Sequence, residues 1–159
     1  ETKWVAAPPY VYFTRAEIVK QLAFAERYFH STIELLPFSV RIADLQPSQL
    51  YLSAEKLAKV HAWLDCKNAV CSPVPVCRKN KSMVLTDGHT RVFSLWQNGA
   101  KEVSAAWDED DLDWTVYSTC LDWCAAAQIY TVADLKNRVL SAEDYRTHWI
   151  DRCARIRQK

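Results

Sequence analysis

Ser82-Met83-Val84-Leu85-Thr86-Asp87-Gly88-His89-Thr90-Arg91-Val92-Phe93 is the stretch around which the rest of the chain is read. Met83 to Leu85 is a short apolar run and reads as a buried strand. The run breaks at Asp87-Gly88, and a helical pattern starts at once, with Val92, Phe93, Leu95 and Trp96 on one side. The spacing therefore predicts a strand, a turn containing one glycine, and a helix N-terminus. An acid, a glycine, an imidazole, a hydroxyl and a guanidinium stand together there as Asp87, Gly88, His89, Thr90 and Arg91. A helix start presents unpaired backbone N–H groups and a partial positive charge, which suits an anion. Gly88 lets a ligand approach the backbone closely. His89, Thr90 and Arg91 add donors matched to phosphate oxygens. The chain has two glycines, and one of them is here. The plainer alternative is a turn whose His89 and Arg91 are merely solvated.

Working outward, Val74-Pro75-Val76-Cys77 reads as a strand, and Pro75 argues for an edge position or a strand start. Arg78-Lys79-Asn80-Lys81 reads as a hairpin turn with a basic tip. After the central helix, Asn98-Gly99 is a C-cap signal. Glu102 to Trp107 then reads as another strand. The acidic run Asp108-Glu109-Asp110-Asp111-Leu112-Asp113 reads as the start of a long helix carrying Trp114, Tyr117, Leu121, Trp123 and Cys124. Acids at a helix start are stabilised by its dipole. Asp108, at a strand end, has the alternative role of a Mg2+ ligand, since that ion often uses one or two carboxylates plus substrate phosphates. Thr131 and Ser141 are N-caps for two further helices.

On the N-terminal side, Phe38 to Ile42 alternates and reads as a strand. Residues 43–50 read as a loop pinned by Pro47, and Ser53 as the N-cap of a helix running to Asp65. Thr14-Arg15-Ala16-Glu17 is a capping box that predicts a helix to about His30, preceded by an extended arm. No regular βαβ alternation is present, so the class is α+β. The expected architecture is a small mixed β-sheet with flanking helices, an N-terminal helix and a three-helix C-terminal extension. The expected organisation is a single domain, 1–159, with an N-terminal helical arm 1–36, a core of about 38–107 and a C-terminal helical extension 108–159.

Composition narrows the function. The chain has 159 residues, half of them apolar and a quarter charged, which is ordinary globular usage. A net charge of +1 gives no global field to draw in nucleic acid or an anionic membrane. No run is long enough to cross a bilayer, and Glu1-Thr2-Lys3-Trp4 does not read as a signal peptide. Six cysteines (66, 71, 77, 120, 124 and 153) contain no CxxC pair. Cys120 and Cys124 lie one helical turn apart, but the set reads as reduced, mostly buried thiols rather than a metal site. A cytoplasmic compartment follows. His30, His61 and His148 each stand alone and read as surface or capping residues, not ligands. The tryptophans are spaced like core contacts, except Trp107, which lies beside Asp108. No Gly-x-Ser-x-Gly and no Walker A sequence is present.

The run Leu85-Thr86-Asp87-Gly88-His89-Thr90-Arg91 resembles the signature loop of the ParB/sulfiredoxin superfamily. The order around it is also similar: strand, Pro-containing loop (Leu45-Gln46-Pro47), helix, strand (Pro73-Val74-Pro75-Val76), strand, Asp-Gly-His-x-Arg, helix, strand. The resemblance covers about Val40 to Trp107 and implies a ParB/sulfiredoxin-like core that binds nucleotide phosphates. It is closest to the free serine kinase branch, which uses an Asp-Gly-His-x-Arg loop. By that resemblance Gly88, His89, Thr90 and Arg91 would hold the phosphates of ATP or ADP, or of CTP as in ParB. Asp87 and His89 would be the catalytic pair, with Asp87 near the transferred group or its Mg2+. Gln49, Trp107 and Asp108 would contact substrate. Sulfiredoxin carries a cysteine where Gly88 stands, so its cysteine chemistry does not transfer. The serine kinases place a glutamate shortly after the loop proline. Here Pro47 is followed by Ser48 and Gln49, and the base would come from Glu55 or Asp108. Two functions follow: a nucleotide-dependent phosphotransferase acting on a small hydroxylated metabolite such as a free amino acid, or a non-catalytic nucleotide-sensing or protein-interaction module. A DNA-related role is disfavoured because no helix-turn-helix reader is legible.

Overall fold

The structure, a computed structural model, describes residues 5–7, 11–13, 36–64 and 72–157. The helix expected after Thr14 lies outside these residues, as do Cys66 and Cys71. The chain divides into two compact units, Glu1–Leu36 and Pro37–Lys159. In the first, β1 (Val5–Ala7) and β2 (Val11–Phe13) pair antiparallel with Val5 opposite Phe13, so the expected extended arm takes the form of a hairpin.

The second unit is α+β. Its strands are β3 (Phe38–Arg41), β4 (Leu45–Pro47), β5 (Leu52–Ser53), β6 (Val74–Lys79), β7 (Ser82–Leu85), β8 (Glu102–Trp107) and β9 (Val139–Leu140). Its helices are α1 (Ala54–Leu64), α2 (His89–Gln97), α3 (Trp114–Ala126), α4 (Ala142–Tyr145) and α5 (Asp151–Ile156). A π-helical segment, Arg146–Ile150, joins the last two, and 3-10 turns occupy Ile42–Asp44 and Val132–Asn137. The main sheet is mixed, in the order β3-β8-β6-β7-β4, and β5 pairs in parallel with β9 as a separate small sheet.

Register explains the core. Val74 opposes Ala105, Val76 opposes Leu85, and Val40 opposes Val103. Opposed residues share a face, so these six form one apolar layer. Val92 and Phe93 of α2 join the same buried cluster. The other face carries Cys77 opposite Val84 and is met by α3. Lys79 Nζ donates to Ser118 Oγ at 2.6 Å, and the Tyr117 hydroxyl donates to the Thr86 carbonyl at 3.2 Å. The sheet thus has helices on both faces, and β7 runs through its interior into α2.

Two expectations are corrected and one is narrowed. Pro75 is not at an edge: it is the second of six residues, at the start of a strand paired on both sides, as the alternative of a strand start has it. It is accommodated because its carbonyl does the bonding, accepting from Thr86 N at 3.1 Å. The segment 43–50 is not all loop. Leu45–Pro47 is an edge strand parallel to β7, held there by burial of Leu45 and Pro47. The sheet's edge proline is therefore Pro47, which needs no outward donor. The acidic run does not form the first turn of a helix. Only Asp113 caps α3, its Oδ1 accepting from Thr115 N at 3.1 Å and Val116 N at 3.3 Å. Asp108 leaves β8 and closes its own turn, its Oδ1 accepting from Asp110 N at 3.0 Å.

His61 also departs from its expected surface role. It bridges α1 to α2, with Nδ1 at 2.9 Å from Ser94 Oγ and Nε2 at 3.2 Å from Gln97 Oε1. No helix among the described residues is long and apolar enough to cross a membrane.

Phe93 is fully buried between the sheet and its helix. Phe93→Ala is expected to lower unfolding free energy by about 3–5 kcal/mol, because transfer and cavity costs add. Urea unfolding checks this, and a loss under about 1 kcal/mol would mean that α2 is not packed as described.

Candidate functional site

The site is built where β7 ends. The chain has to turn sharply from the sheet interior into α2, and Gly88 makes that turn with φ 77°. L residues with a Cβ rarely take that conformation. Space is short as well: a Cβ at Gly88 would lie 3.2 Å from Val74 Cγ1 and 3.3 Å from Arg91 Nη2. Asp87 Oδ1 accepts from Gly88 N at 2.7 Å and tightens the turn. The Gly88 carbonyl accepts from Val92 N at 3.0 Å and opens the helix. The N–H groups of His89, Thr90 and Arg91 have no carbonyl one turn behind them.

His89 is buried, with 3% of its surface exposed. Its Nε2 accepts from Ser48 N at 3.0 Å, which assigns the ring proton to Nδ1 in the neutral imidazole. Burial pushes its pKa down to about 4, with Asp87 opposing weakly from nearby, so the ring is uncharged at neutral pH. Nδ1 itself is buried and has no partner, and Arg91 Nε is in the same condition. Two buried donors on the first turn of α2 therefore have no acceptor among the described residues.

This turn lines a cleft of about 550 Å³. The cleft also receives Lys56, Lys59, Val60 and Trp63 from α1, with Gln49, Pro75 and Tyr145. Three cationic side chains, Lys56, Lys59 and Arg91, line the cleft with one carboxylate, Asp87, while Glu55 beside it pairs with Lys59. Such a balance favours an anion. Val60, Trp63 and Pro75 supply an apolar wall. Gln49 is pinned: its Nε2 donates to the Tyr51 carbonyl at 2.7 Å and to Tyr145 Oη at 3.1 Å. Burial, then the charges of Cys153 and Asp87, push the Tyr145 phenol above its ordinary pKa, so it stays protonated. Lys56 Nζ sits 5.0 Å from the centre of the same ring.

The structure thus brings Gln49, Asp87, Gly88, His89, Thr90 and Arg91 to one cleft. It puts Trp107 and Asp108 elsewhere. Asp108 Oδ2 accepts from the Thr86 hydroxyl at 2.5 Å, and its N–H donates to the Val76 carbonyl at 2.8 Å, so it braces the turn from behind. Trp107 packs against Phe38 with ring centres 5.0 Å apart, beneath the Arg78 guanidinium. Glu55, the other candidate base, is exposed and ion-paired to Lys59 at 3.1 Å. Sequence reasoning missed Lys56, Lys59, Val60 and Trp63, whose 0, 3, 4, 7 spacing marks one helix face. It also missed Tyr145, for which no local signal exists. Among the described residues, no three His, Cys, Asp or Glu side chains converge as a metal site.

No family model matches the chain, and no curated protein matches it. Among solved structures it is similar to the crystal structure of protein Atu1540 from Agrobacterium tumefaciens, with 19% identity and a TM-score of 0.43. The likeness covers 63% of this chain and 61% of that one, so the chain spans about three fifths of that protein's length. A likeness at this level carries no function across.

The depressed His89 pKa makes a pH prediction. The unfolded ring takes up its proton near 6.5 and the folded ring near 4, so stability is full above 6.5 and is lost as pH falls from 6.5 towards 4. At about 1.4 kcal/mol per pH unit, the loss reaches about 3 kcal/mol. Imidazole 15N shifts followed by pH titration check this: a His89 ring that charges near 6.5 would contradict it.

Proposed function

We propose that the cleft binds a nucleotide through its phosphates and passes a phosphoryl group to a small hydroxylated metabolite such as a free amino acid. The observation that carries this reading is the pair of buried, unpartnered donors, His89 Nδ1 and Arg91 Nε. Each unsatisfied group costs about 1–3 kcal/mol, and two on one helical turn are retained only where something answers them. With the three free amides they put five donors on the first turn of α2, beside the cleft. A carboxylate offers two oxygens, whereas a phosphate group offers three and a di- or triphosphate more. Lys56 and Lys59 add charge at the same cleft, and the Trp63–Val60 wall offers a surface for a base. The cleft volume falls in the range of small-molecule sites, about 300–1,000 Å³. The Asp-Gly-His-x-Arg order, resembling the free serine kinase branch of the ParB/sulfiredoxin superfamily, supports the same ligand: ATP or ADP, with CTP as the alternative. Such substrates also fit a cytoplasmic protein without a nucleic-acid or membrane partner.

The roles follow from the chemistry of each group. The amides of His89, Thr90 and Arg91 and the Nδ1–H of His89 donate to phosphate oxygens. Arg91 supplies charge. His89 acts as a neutral donor and not as a base, because its other nitrogen is occupied by Ser48. Asp87 is the carboxylate lining the cleft, and in this reading it takes the proton of an attacking hydroxyl. Mg2+ would supply charge neutralisation when bound, and a single carboxylate suits an ion held mainly by phosphates.

One observation favours a second reading. Gln49 stands where the resemblance places a catalytic glutamate, and its amide is tied to Tyr51 and Tyr145. A carboxamide cannot accept a proton, and a chain with Gln49 there suits a non-catalytic nucleotide-sensing or protein-interaction module.

Isothermal titration with ATP, ADP and CTP in Mg2+ tests binding. Arg91→Ala is expected to weaken affinity by at least about tenfold, while Lys101→Ala leaves it unchanged; equal binding by wild type and Arg91→Ala would remove the loop as the site. Turnover is tested with free amino acids as acceptors. Asp87→Asn is expected to lower it by about 10²-fold or more with nucleotide affinity retained. Wild-type binding without turnover on any acceptor would replace the enzyme with the sensing module.

A further inference from the structure

We propose that a second cavity, at the far end of α2 from the cleft, binds a small amphipathic carboxylate: one anionic head on an apolar, ring-sized body. The proposal does not rest on the nucleotide reading, and no residue lines both cavities. This cavity has a volume of about 430 Å³, within the range of small-molecule sites. It lies between the 3-10 turn after β3, the C-terminal end of α2 and the second 3-10 turn. Its walls are apolar. Trp96 offers an indole, and Ile42, Ala43, Ala100 and Ala133 complete the lining. Alanine at three of these positions leaves the space open. The indole is held by fully buried Phe93, with ring centres 5.6 Å apart. Ile42 N donates to the Lys101 carbonyl at 2.9 Å, which fixes the first turn against the start of β8.

The charge at this cavity is one-sided. Arg41 and Lys101 line it, and among the described residues no carboxylate does. Arg41 donates from Nε at 2.8 Å and Nη2 at 3.1 Å to Asp44. That pairing orients the guanidinium and leaves Nη1 with its donors unused among the described residues. Lys101 makes no ion pair among the described residues. The acids nearby are engaged elsewhere: Asp44 by Arg41, Glu102 by the Ser39 hydroxyl at 3.3 Å, and Asp134 by the amides of Tyr130 and Thr131 at 2.9 Å each. Arg41 therefore supplies oriented donors, and Lys101 supplies the unpaired charge.

A helix C-terminus ordinarily presents free carbonyls, which repel an anion. Here three of the last four are occupied. The carbonyls of Ser94, Leu95 and Trp96 accept from the amides of Asn98, Ala100 and Gly99 at 3.1, 3.0 and 3.0 Å. Gly99 closes the helix with φ 90°, and a Cβ there would meet nothing within 4 Å, so this side is open for entry. An apolar hollow with cations and no carboxylate in its lining matches a ligand that is apolar over most of its surface and carries one negative group. A nucleotide does not match, because the buried, unpartnered donors of the described residues lie on the first turn of α2 and not here.

The test titrates the full chain with naphthoate and, in parallel, with the uncharged naphthalenemethanol, followed by 15N NMR. Naphthoate is expected to shift the Trp96 indole N–H and the Ala133 amide together. Its dissociation constant is expected below about 1 mM, at least about tenfold tighter than that of the alcohol. Lys101→Ala is expected to remove that preference. Ala133→Phe fills the hollow and is expected to abolish binding of both probes, its fold being checked by the remaining amide signals. ADP with Mg2+ is expected to leave naphthoate affinity unchanged. Four results would overturn the proposal: no saturable shift at Trp96, an alcohol bound as tightly as naphthoate by wild type, naphthoate affinity unaltered in Lys101→Ala, or displacement of naphthoate by ADP.

Discussion

The hydrogen bond from Ser48 N to His89 Nε2 is the interaction on which the cleft depends. It joins the end of the edge strand β4 to the first residue of α2, 41 positions apart. Beside it, Ser48 Oγ donates to the Leu85 carbonyl at 2.7 Å, so one residue ties β4 to both the strand and the helix that follows. The bond also makes a chemical choice. By occupying Nε2 it leaves the proton on Nδ1, and burial prevents the ring from charging. The imidazole therefore reaches the site as a fixed neutral donor. Gly88 is the matching backbone constraint, since only its left-handed turn brings the start of α2 so close to β6.

This arrangement trades stability for readiness. Two buried donors lack acceptors, and the cationic side chains of Lys56, Lys59 and Arg91 share one cleft. The unmatched donors cost the folded state, whereas Lys56 and Lys59 are exposed and Lys59 is paired with Glu55. The compensation comes from the apolar layer below, where Val74, Val76, Leu85, Val92 and Phe93 are fully buried. The C-terminal helices take part as well. Tyr145 accepts from Gln49, and Tyr117 and Asp108 hold Thr86, so that α3 and α4 fix the cleft from outside the sheet–α2 unit.

The sequence was legible where local pattern and local chemistry coincide. The change from strand to helix at Asp87-Gly88 is visible because an apolar run stops at a glycine and a helical stripe follows. β8 was visible from its bounds, and the Thr131 and Ser141 caps from their spacing; both caps are present. Legibility failed where tertiary pairing decides. β4 is three residues long and exists because β7 offers it an edge. Pro75 argued for an edge because the rule concerns its missing N–H, whereas this strand uses its carbonyl. The acids before Asp113 suggested a helix start because their composition fits one, but Asp108 is engaged by Thr86. In the cleft, the loop itself was readable. Lys56 and Trp63 needed α1 to be seen as a face turned towards that loop, and Tyr145 needed chain closure that no local spacing encodes.

The most direct test of the account is 15N NMR of the chain during addition of ADP with Mg2+. The account predicts that the backbone amides of His89, Thr90 and Arg91 and the Nδ1–H of His89 shift together and saturate with one binding constant, as acceptors reach donors that had none. Nucleotide-induced shifts confined to other residues, with these four signals unmoved, would contradict it.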